Sequence, residues 1–361
     1  MQIEVVTDFN TLLPYKDRWN ALVDRSETRT VYQTFEWHEA WWHSFGGEHK
    51  LHVVLMSKEQ ELVGIAPLML TNKRVNGLRE KVLSFIGAEN YASDYCDFIV
   101  ASDDPTILQK MLAWQEEHAP AWTQIDLKNL PSHSRHRTLL EDYCNQASWR
   151  VDSSIFAETP TRILGNRDDD LKAANKKSLK RHFNYFKRSG ELKFRHCQSE
   201  AEILEHLNVF FKQHIERRAE TDTPSQFLAA NQRAFYERLV PALFSKDWLR
   251  FSVLFYNDTP IAFHFGFQFE GSYIWYKPAF DISYFKRSPG EVLLKYLLEY
   301  AIEEDLKEFD FTVGGEHFKY RFANKVRTNH RVRIFRRPIS FFLARLRKRL
   351  GNIRKTITLK S

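Results

Sequence analysis

A chain of 361 residues exceeds one usual hydrophobic core and predicts two domains of roughly 150–200 residues. With 43% hydrophobic residues, among them 29 Phe, 14 Tyr and 9 Trp, it can bury enough surface to offset its ordering entropy, which excludes dominant disorder. No apolar run approaches the roughly 20 residues that cross a bilayer. The opening Met1–Asp8 carries acids and no basic segment, so it reads as a strand and not as a secretion signal. Three widely spaced cysteines, Cys96, Cys144 and Cys197, suggest neither a disulfide framework nor a zinc knuckle, and point to a reducing, cytoplasmic setting. The balance of 53 Lys+Arg against 46 Asp+Glu gives +7. That excess is clustered twice, at Lys172, Lys176, Lys177, Lys180, Arg181, Lys187 and Arg188, and from Arg327 onward.

In chain order, Asp8 to Asp24 reads as an amphipathic helix, with Leu12, Leu13, Trp19, Leu22 and Val23 on its apolar side. A second helix starts at Thr34, a residue suited to cap it, and ends at Phe45-Gly46-Gly47. Leu51–Met56 and Leu62–Leu70 form a hairpin across a polar turn, and strands follow at Leu83–Ile86, Asp97–Val100 and Gln124–Leu127. A helix is expected between Thr106 and Glu117. Asp168 to Ser189 reads as one helix, opened by three acids at its positive end and stopped at Ser189-Gly190. Next come a strand at Leu192–Arg195, helical spacing from Ile203 to Ile215, and a hairpin of Leu249–Phe255 with Ile261–Phe269. Ser272–Lys277 is a strand, Ser288-Pro289-Gly290-Glu291 opens a helix carrying Leu293, Leu294, Leu297, Leu298, Ala301 and Ile302, and a strand at Glu308–Val313 leads into Gly314-Gly315. The two hairpins resemble one another, and a duplication or two unrelated hairpins would each account for that.

Several of these segments resemble the CelD-like branch of the GNAT acyltransferase superfamily. They are Tyr32-Gln-Thr-Phe-Glu-Trp with Ala40-Trp-Trp, Ser93-Asp-Tyr-Cys-Asp-Phe-Ile-Val, the Phe211/His214/Arg217 helix, Ser288-Pro-Gly-Glu, and Phe309-Asp-Phe-Thr-Val-Gly-Gly-Glu-His-Phe-Lys. The resemblance covers about residues 1–335 and extends to the related Fem-type peptidoglycan aminoacyltransferases, which pair two GNAT-like domains. It implies an α/β (α+β) fold of two tandem GNAT-like domains, each a mixed, mainly antiparallel sheet flanked by helices. The expected boundaries are 1–160 and 161–335, with the acyl-CoA site in the second and a basic tail at 336–361. It also implies acetyl-CoA or another acyl-CoA as substrate, a sugar, glycan precursor or small molecule as acceptor, and a context in polysaccharide or envelope biosynthesis. The long coiled-coil arm of some Fem-type enzymes has no counterpart, which counts against chemistry on charged tRNA. A non-catalytic binding module is a further alternative.

Such a site needs a place for a diphosphate, and a helix start supplies one through free N–H groups and the dipole. Lys286, Arg287, Ser288, Pro289 and Gly290 fit this role: two cations, a capping Ser, a Pro suited to an early helical position, and a Gly that lets backbone approach. Glu291 inside the cradle opposes it, and an ordinary helix start is the competing reading. No Gly-x-Ser-x-Gly elbow or nucleophilic Cys is apparent, so direct attack by the acceptor is expected, with a base to take its proton and backbone donors on the Ser272–Lys277 strand. Three candidates compete for the base. Glu316 follows two glycines at a strand end, Asp97 precedes a strand, and His264 lies in a strand with Phe263 and Phe265. Each has a structural alternative: a surface acid paired with Lys319, a turn cap, and a satisfied sheet histidine. His133 and His136 have metal-like spacing without a third ligand, so no metal is indicated. The Lys172–Arg188 cluster reads either as a phosphate-binding patch or as a solvated face, and nucleic acid is disfavoured for want of interleaved aromatics. The tail, with apolar residues at 342, 346, 350 and 353 among cations, reads either as a helix for an anionic membrane surface or as one packed on the body.

Overall fold

The computed structural model describes residues 1–90, 92–101, 104, 106–118, 122–147 and 149–347. The chain separates into two units, residues 1–38, 45–156 and 328 onward forming the first and residues 39–44 and 157–327 the second. Both are of the expected mixed α/β class.

In the first unit the strands are β1 (Gln2–Val6), β2 (Lys50–Lys58), β3 (Glu61–Val75), β4 (Leu78–Phe85), β5 (Ile99–Val100) and β6 (Gln124–Pro131). β1 to β4 are successive antiparallel neighbours, while β4 and β6 run parallel over Val82↔Gln124 and Leu83↔Ile125. The helices are α1 (Lys16–Arg25), α2 (Phe35–Phe45, of which residues 39–44 group with the second unit), α3 (Thr106–His118) and α4 (His136–Gln146). The second unit is built on β7 (Arg150–Ile163, from residue 157), β8 (Leu192–His196), β9 (Leu249–Tyr256), β10 (Thr259–Phe269), β11 (Ser272–Phe280) and β12 (Glu308–Asp310). Its helices are α5 (Arg167–Ala174), α6 (Lys177–Ser189), α7 (Glu200–Ala219), α8 (Ala230–Phe244), α9 (Pro289–Glu303) and α10 (His317–Phe322). Its sheet order is β7-β12-β11-β10-β9-β8, antiparallel except for β11 and β12.

Each unit therefore repeats one succession: a strand, two helices, three antiparallel strands, a helix, and a strand parallel to the last. Two unrelated hairpins would not produce this, so the likeness read between Leu51–Ala66 and Leu249–His264 is one of whole topologies.

The second sheet buries both faces. On one, Phe210 of α7 and Tyr236 of α8 pack on Phe251, Phe263 and Phe265. On the other, Leu293, Leu297, Leu298 and Ala301 of α9 pack with Leu254, Ala262, Tyr273, Trp275, Phe309 and Phe311.

Three expected elements come out differently. The helix expected over Asp8–Asp24 is a 3₁₀ segment, Phe9–Tyr15, followed by α1, because Pro14 cannot donate the hydrogen bond that would continue the ladder. The helix expected over Asp168–Ser189 is α5 and α6, divided where Asn175 folds its side-chain N–H onto the Leu171 carbonyl. The strand expected to reach Val313 stops pairing at Asp310. A strand without counterpart in the sequence reading, Lys325–Phe335 (β13), pairs from Asn329 to Phe335 with β6 of the first unit. Its Arg331 and Arg333 are ion-paired to Asp126 and Asp152 there. Part of the charge that clusters in sequence is thus neutralised in the fold.

Candidate functional site

β11 and β12 lie side by side for only three residues, Ser272↔Glu308, Tyr273↔Phe309 and Ile274↔Asp310. Beyond them β11 continues to Phe280 against β10 alone, while the chain after β12 stays with β7, the Phe311 N–H donating to the Pro160 carbonyl (3.0 Å) and Gly314 to Glu158 (3.2 Å). The two parallel strands thus part. Thr312, held at φ 58°, donates its hydroxyl to the Trp275 carbonyl at 3.0 Å, at the root of the opening. A bulge opposite Gly266 helps to aim β11, and His264 holds it: its Nε2 accepts the Tyr276 N–H (3.1 Å) and its Nδ1 meets the Tyr273 hydroxyl (3.1 Å).

Glu316 stands on the β12 side of this opening, just before α10, with about half of its side chain exposed. Its carboxylate lies 3.1 Å from the buried Lys319 Nζ, which also donates to the Val313 carbonyl at 2.8 Å. Gly314 makes room for that carboxylate. A Cβ there would sit 2.1 Å from Glu316 Oε2, and its φ of 143° suits glycine in any case.

At the other rim, α9 starts abruptly. Ser288 adopts a left-handed conformation and makes no side-chain cap, contrary to the capping role expected of it. Pro289 has no N–H to give, and the N–H groups of Glu291 and Val292 both return to the Ser288 carbonyl (3.0 and 3.3 Å). Gly290 is left as the first-turn N–H with no acceptor among the described residues, and dipole and open donor coincide at its backbone. Lys286 and Arg287 end the 3₁₀ turn before it, with the Arg287 guanidinium over the Tyr185 ring at 4.0 Å. Glu291, the acid that would oppose an anion, is engaged by Arg321 at 3.0 Å. What this helix start offers an anion is one free amide and the adjoining cations.

The structure does not bring the three candidate bases together. Glu316 borders the opening. His264 has both ring nitrogens committed and is fully buried, which holds its pKa well below the usual imidazole range, so it is a sheet histidine. Asp97 belongs to the first unit, where it accepts from Thr28 (2.7 Å), from its neighbour Phe98 (2.8 Å) and from His136 Nδ1 (2.7 Å). It is a buried hub with no oxygen to spare. The three thiols are buried as well, and burial pushes those of Cys144 and Cys197 up to about 12, so neither offers a ready thiolate.

Donor atoms of Cys197, Glu202 and His206 lie within 4.8 Å of one another. Glu202 is already committed, accepting the Gln198 N–H (2.8 Å) and facing Arg195 (2.6 Å). The cations of α6 are exposed, as for a solvated face, while Phe183 and Phe186 turn to the core. Sequence reading gave no role to Arg217. It is half-buried on α7 with its guanidinium over the Phe280 ring at 5.2 Å, and Phe280 is also the ring that Gly290 abuts. The quoted His214 and Arg217 spacing was the available signal. His214 itself is structural, bonded to Ser225 at 2.7 Å and packed on Phe227.

Residues 173–320, which lie in the second unit, match the acetyltransferase (GNAT) domain family. Among solved structures, FemX is similar at TM-score 0.63 and 11% identity, covering 92% of this chain and 97% of that one. A conserved protein of unknown function from Bacteroides thetaiotaomicron aligns at TM-score 0.60 and 14% identity, over 93% of this chain and 100% of that one. L-PGS from Bacillus licheniformis aligns at TM-score 0.52 and 12% identity, over 91% and 95%. At these identities the likeness is one of fold. No curated protein matches the sequence.

Proposed function

We propose that the second unit is an acyl-CoA-dependent N- or O-acyltransferase, acetyl being the group transferred. The observation that carries the reading is the divergence of β11 from β12 beside an α9 start whose Gly290 N–H has no acceptor among the described residues. The thioester would enter this opening with its diphosphate at Gly290. The acceptor's amine or hydroxyl attacks the thioester carbon, Glu316 takes the proton, and the CoA thiol leaves. A sugar or glycan precursor is the acceptor class that the family resemblance supports.

Calorimetry with acetyl-CoA tests the donor site. Gly290→Trp places an indole where even a Cβ would lie 3.3 Å from Phe280. Binding should weaken by about a hundredfold or more, the scale of losing a charge-assisted contact and the space around it. Undiminished binding would move the donor elsewhere.

The tail supports a further part of this reading, contact with an anionic membrane surface. Helix spans residues 338–347 of the described chain and docks on the first unit through buried Ala344 and through Ser340, which donates to Glu80 at 2.6 Å. Its other side leaves Ile339, Phe342 and Leu346 exposed, with Arg345 and Arg347 beside them. Positions 350 and 353 of the expected stripe lie outside the described residues. Sedimentation with phosphatidylglycerol vesicles should capture the protein, and phosphatidylcholine vesicles should not. Phe342→Asp with Leu346→Asp should weaken capture by more than about tenfold, whereas equal capture by both lipids would refute the contact.

A further inference from the structure

Two arginines at the end of α7 have no partner to explain their position. Arg217 and Arg218 are both half-buried, and neither guanidinium makes a hydrogen bond or ion pair with a described residue. Arg217 instead lies over the Phe280 ring, at the end of β11. Gathering like charges at the edge of a protein interior is unfavourable unless something of opposite sign completes the group. Burial and then the neighbouring Arg218 press the Arg217 pKa down to about 10, with Glu316 the carboxylate that acts against them. Burial, followed by Arg217, Lys277 and Arg218, likewise presses His214 down to about 3. Two neighbouring cations are thus gathered within electrostatic reach of Glu316. Arginines in the last turn do complement a helix dipole, but that effect serves exposed side chains equally and does not call for a half-buried one.

The position of these arginines separates them from the proposed diphosphate site. α9 packs on the sheet face of Tyr273, Trp275 and Phe309, whereas α7 packs on the opposite face, against Phe251, Phe263 and Phe265. Both helix ends border the Phe280 ring, Gly290 with its backbone and Arg217 with its guanidinium. A donor laid along α9 leaves the α7 side for the second substrate. We infer that Arg217, with Arg218 beside it, binds an anionic group, carboxylate or phosphate, on the acceptor, placing the acceptor's nucleophile near Glu316. Guanidinium suits this because its fixed fork of N–H donors matches both anions. The inference rests on the acyltransferase reading and narrows its acceptor to one carrying negative charge.

Inorganic phosphate is the probe, added to the full chain saturated with acetyl-CoA, with the arginine Nε–Hε resonances followed by NMR. The Arg217 signal is assigned by its loss in Arg217→Lys. Phosphate should shift that signal saturably with acetyl-CoA bound, and Arg217→Gln should bind phosphate about tenfold or more weakly, the loss of one charge-assisted contact. Acetyl-CoA binding by Arg217→Gln should be unchanged, which separates a failure of this inference from a failure of the donor site. No shift at any phosphate concentration overturns the inference. So does a shift that acetyl-CoA abolishes, which would assign the arginines to the donor's own phosphates.

Discussion

Glu316→Gln should lower the acetyl-transfer rate by about 10²–10⁴-fold, the usual contribution of a positioned general base, and should leave acetyl-CoA binding intact. The measurement is thiol release from acetyl-CoA in the presence of acceptor, set beside calorimetry of the same variant. The substitution is nearly isosteric and sits on a side chain about half exposed, and circular dichroism of the variant separates loss of rate from any loss of fold caused by the uncompensated, buried Lys319. The exchange removes the charge facing Lys319 and with it the means of accepting a proton. Lys319→Met provides a control of a different kind. Lys319 is buried and donates to the Val313 carbonyl as well as facing Glu316, so its removal should disturb both the loop and the rate. A Glu316→Gln enzyme within a few fold of the parent would place the base elsewhere. Neither His264, saturated in the sheet, nor Asp97, enclosed in the first unit, is ready to take its place.

How much of this was legible in the sequence depended on whether a signal was local. The β9–β10 hairpin was readable because alternating apolar residues flank Asn257-Asp258, both of which take positive φ in the turn. α9 was readable from leucines at helical spacing. The turn Asn76-Gly77 between β3 and β4 carried an equally clear signal that was passed over. α8 was missed although Phe235, Tyr236, Leu239, Val240 and Leu243 recur at helical spacing, since Pro241 argues against a helix locally and packing overrides it. β7 offers almost no alternation, being half-buried along much of its length, so its existence is fixed by its partners.

The site followed the same rule. Glu316 and Gly290 stand out as candidates because a strand end and a helix start are local signals. The splay of β11 from β12 and the meeting of Arg217 with Phe280 are contacts between segments far apart in sequence, which no local pattern encodes. Asp97 was misjudged for the converse reason. An acid before a strand looks available until the fold brings Thr28 and His136 onto it.

That hub makes the second large expectation. His136→Ala should destabilise the first unit by roughly 3–5 kcal/mol, because it leaves the Asp97 carboxylate buried without its counter-charge. Burial alone would push Asp97 up, but the His136 charge, the hydrogen bond from His136, and those from Ser134 and Thr28 together hold its pKa below the usual 3.8. Burial would likewise push His136 down, and the Asp97 charge and hydrogen bond reverse this, raising it above 6.5. The signs fix a window. The Asp97 contribution is present above about pH 4 and is lost as pH falls through its depressed pKa; the His136 contribution is present below about pH 6.5 and is lost as pH rises through its elevated one. Urea unfolding of the parent should therefore show the pair's full contribution between roughly pH 4 and 6.5, and His136→Ala should flatten the decline on both sides. Replacing both residues, as Asp97→Asn with His136→Gln, should cost less than His136→Ala alone, since no orphaned charge remains. A single-variant cost below about 1 kcal/mol, or a double variant worse than the single, would mean that the pair is not ionised in the folded protein and that Asp97 is held by neutral hydrogen bonds alone.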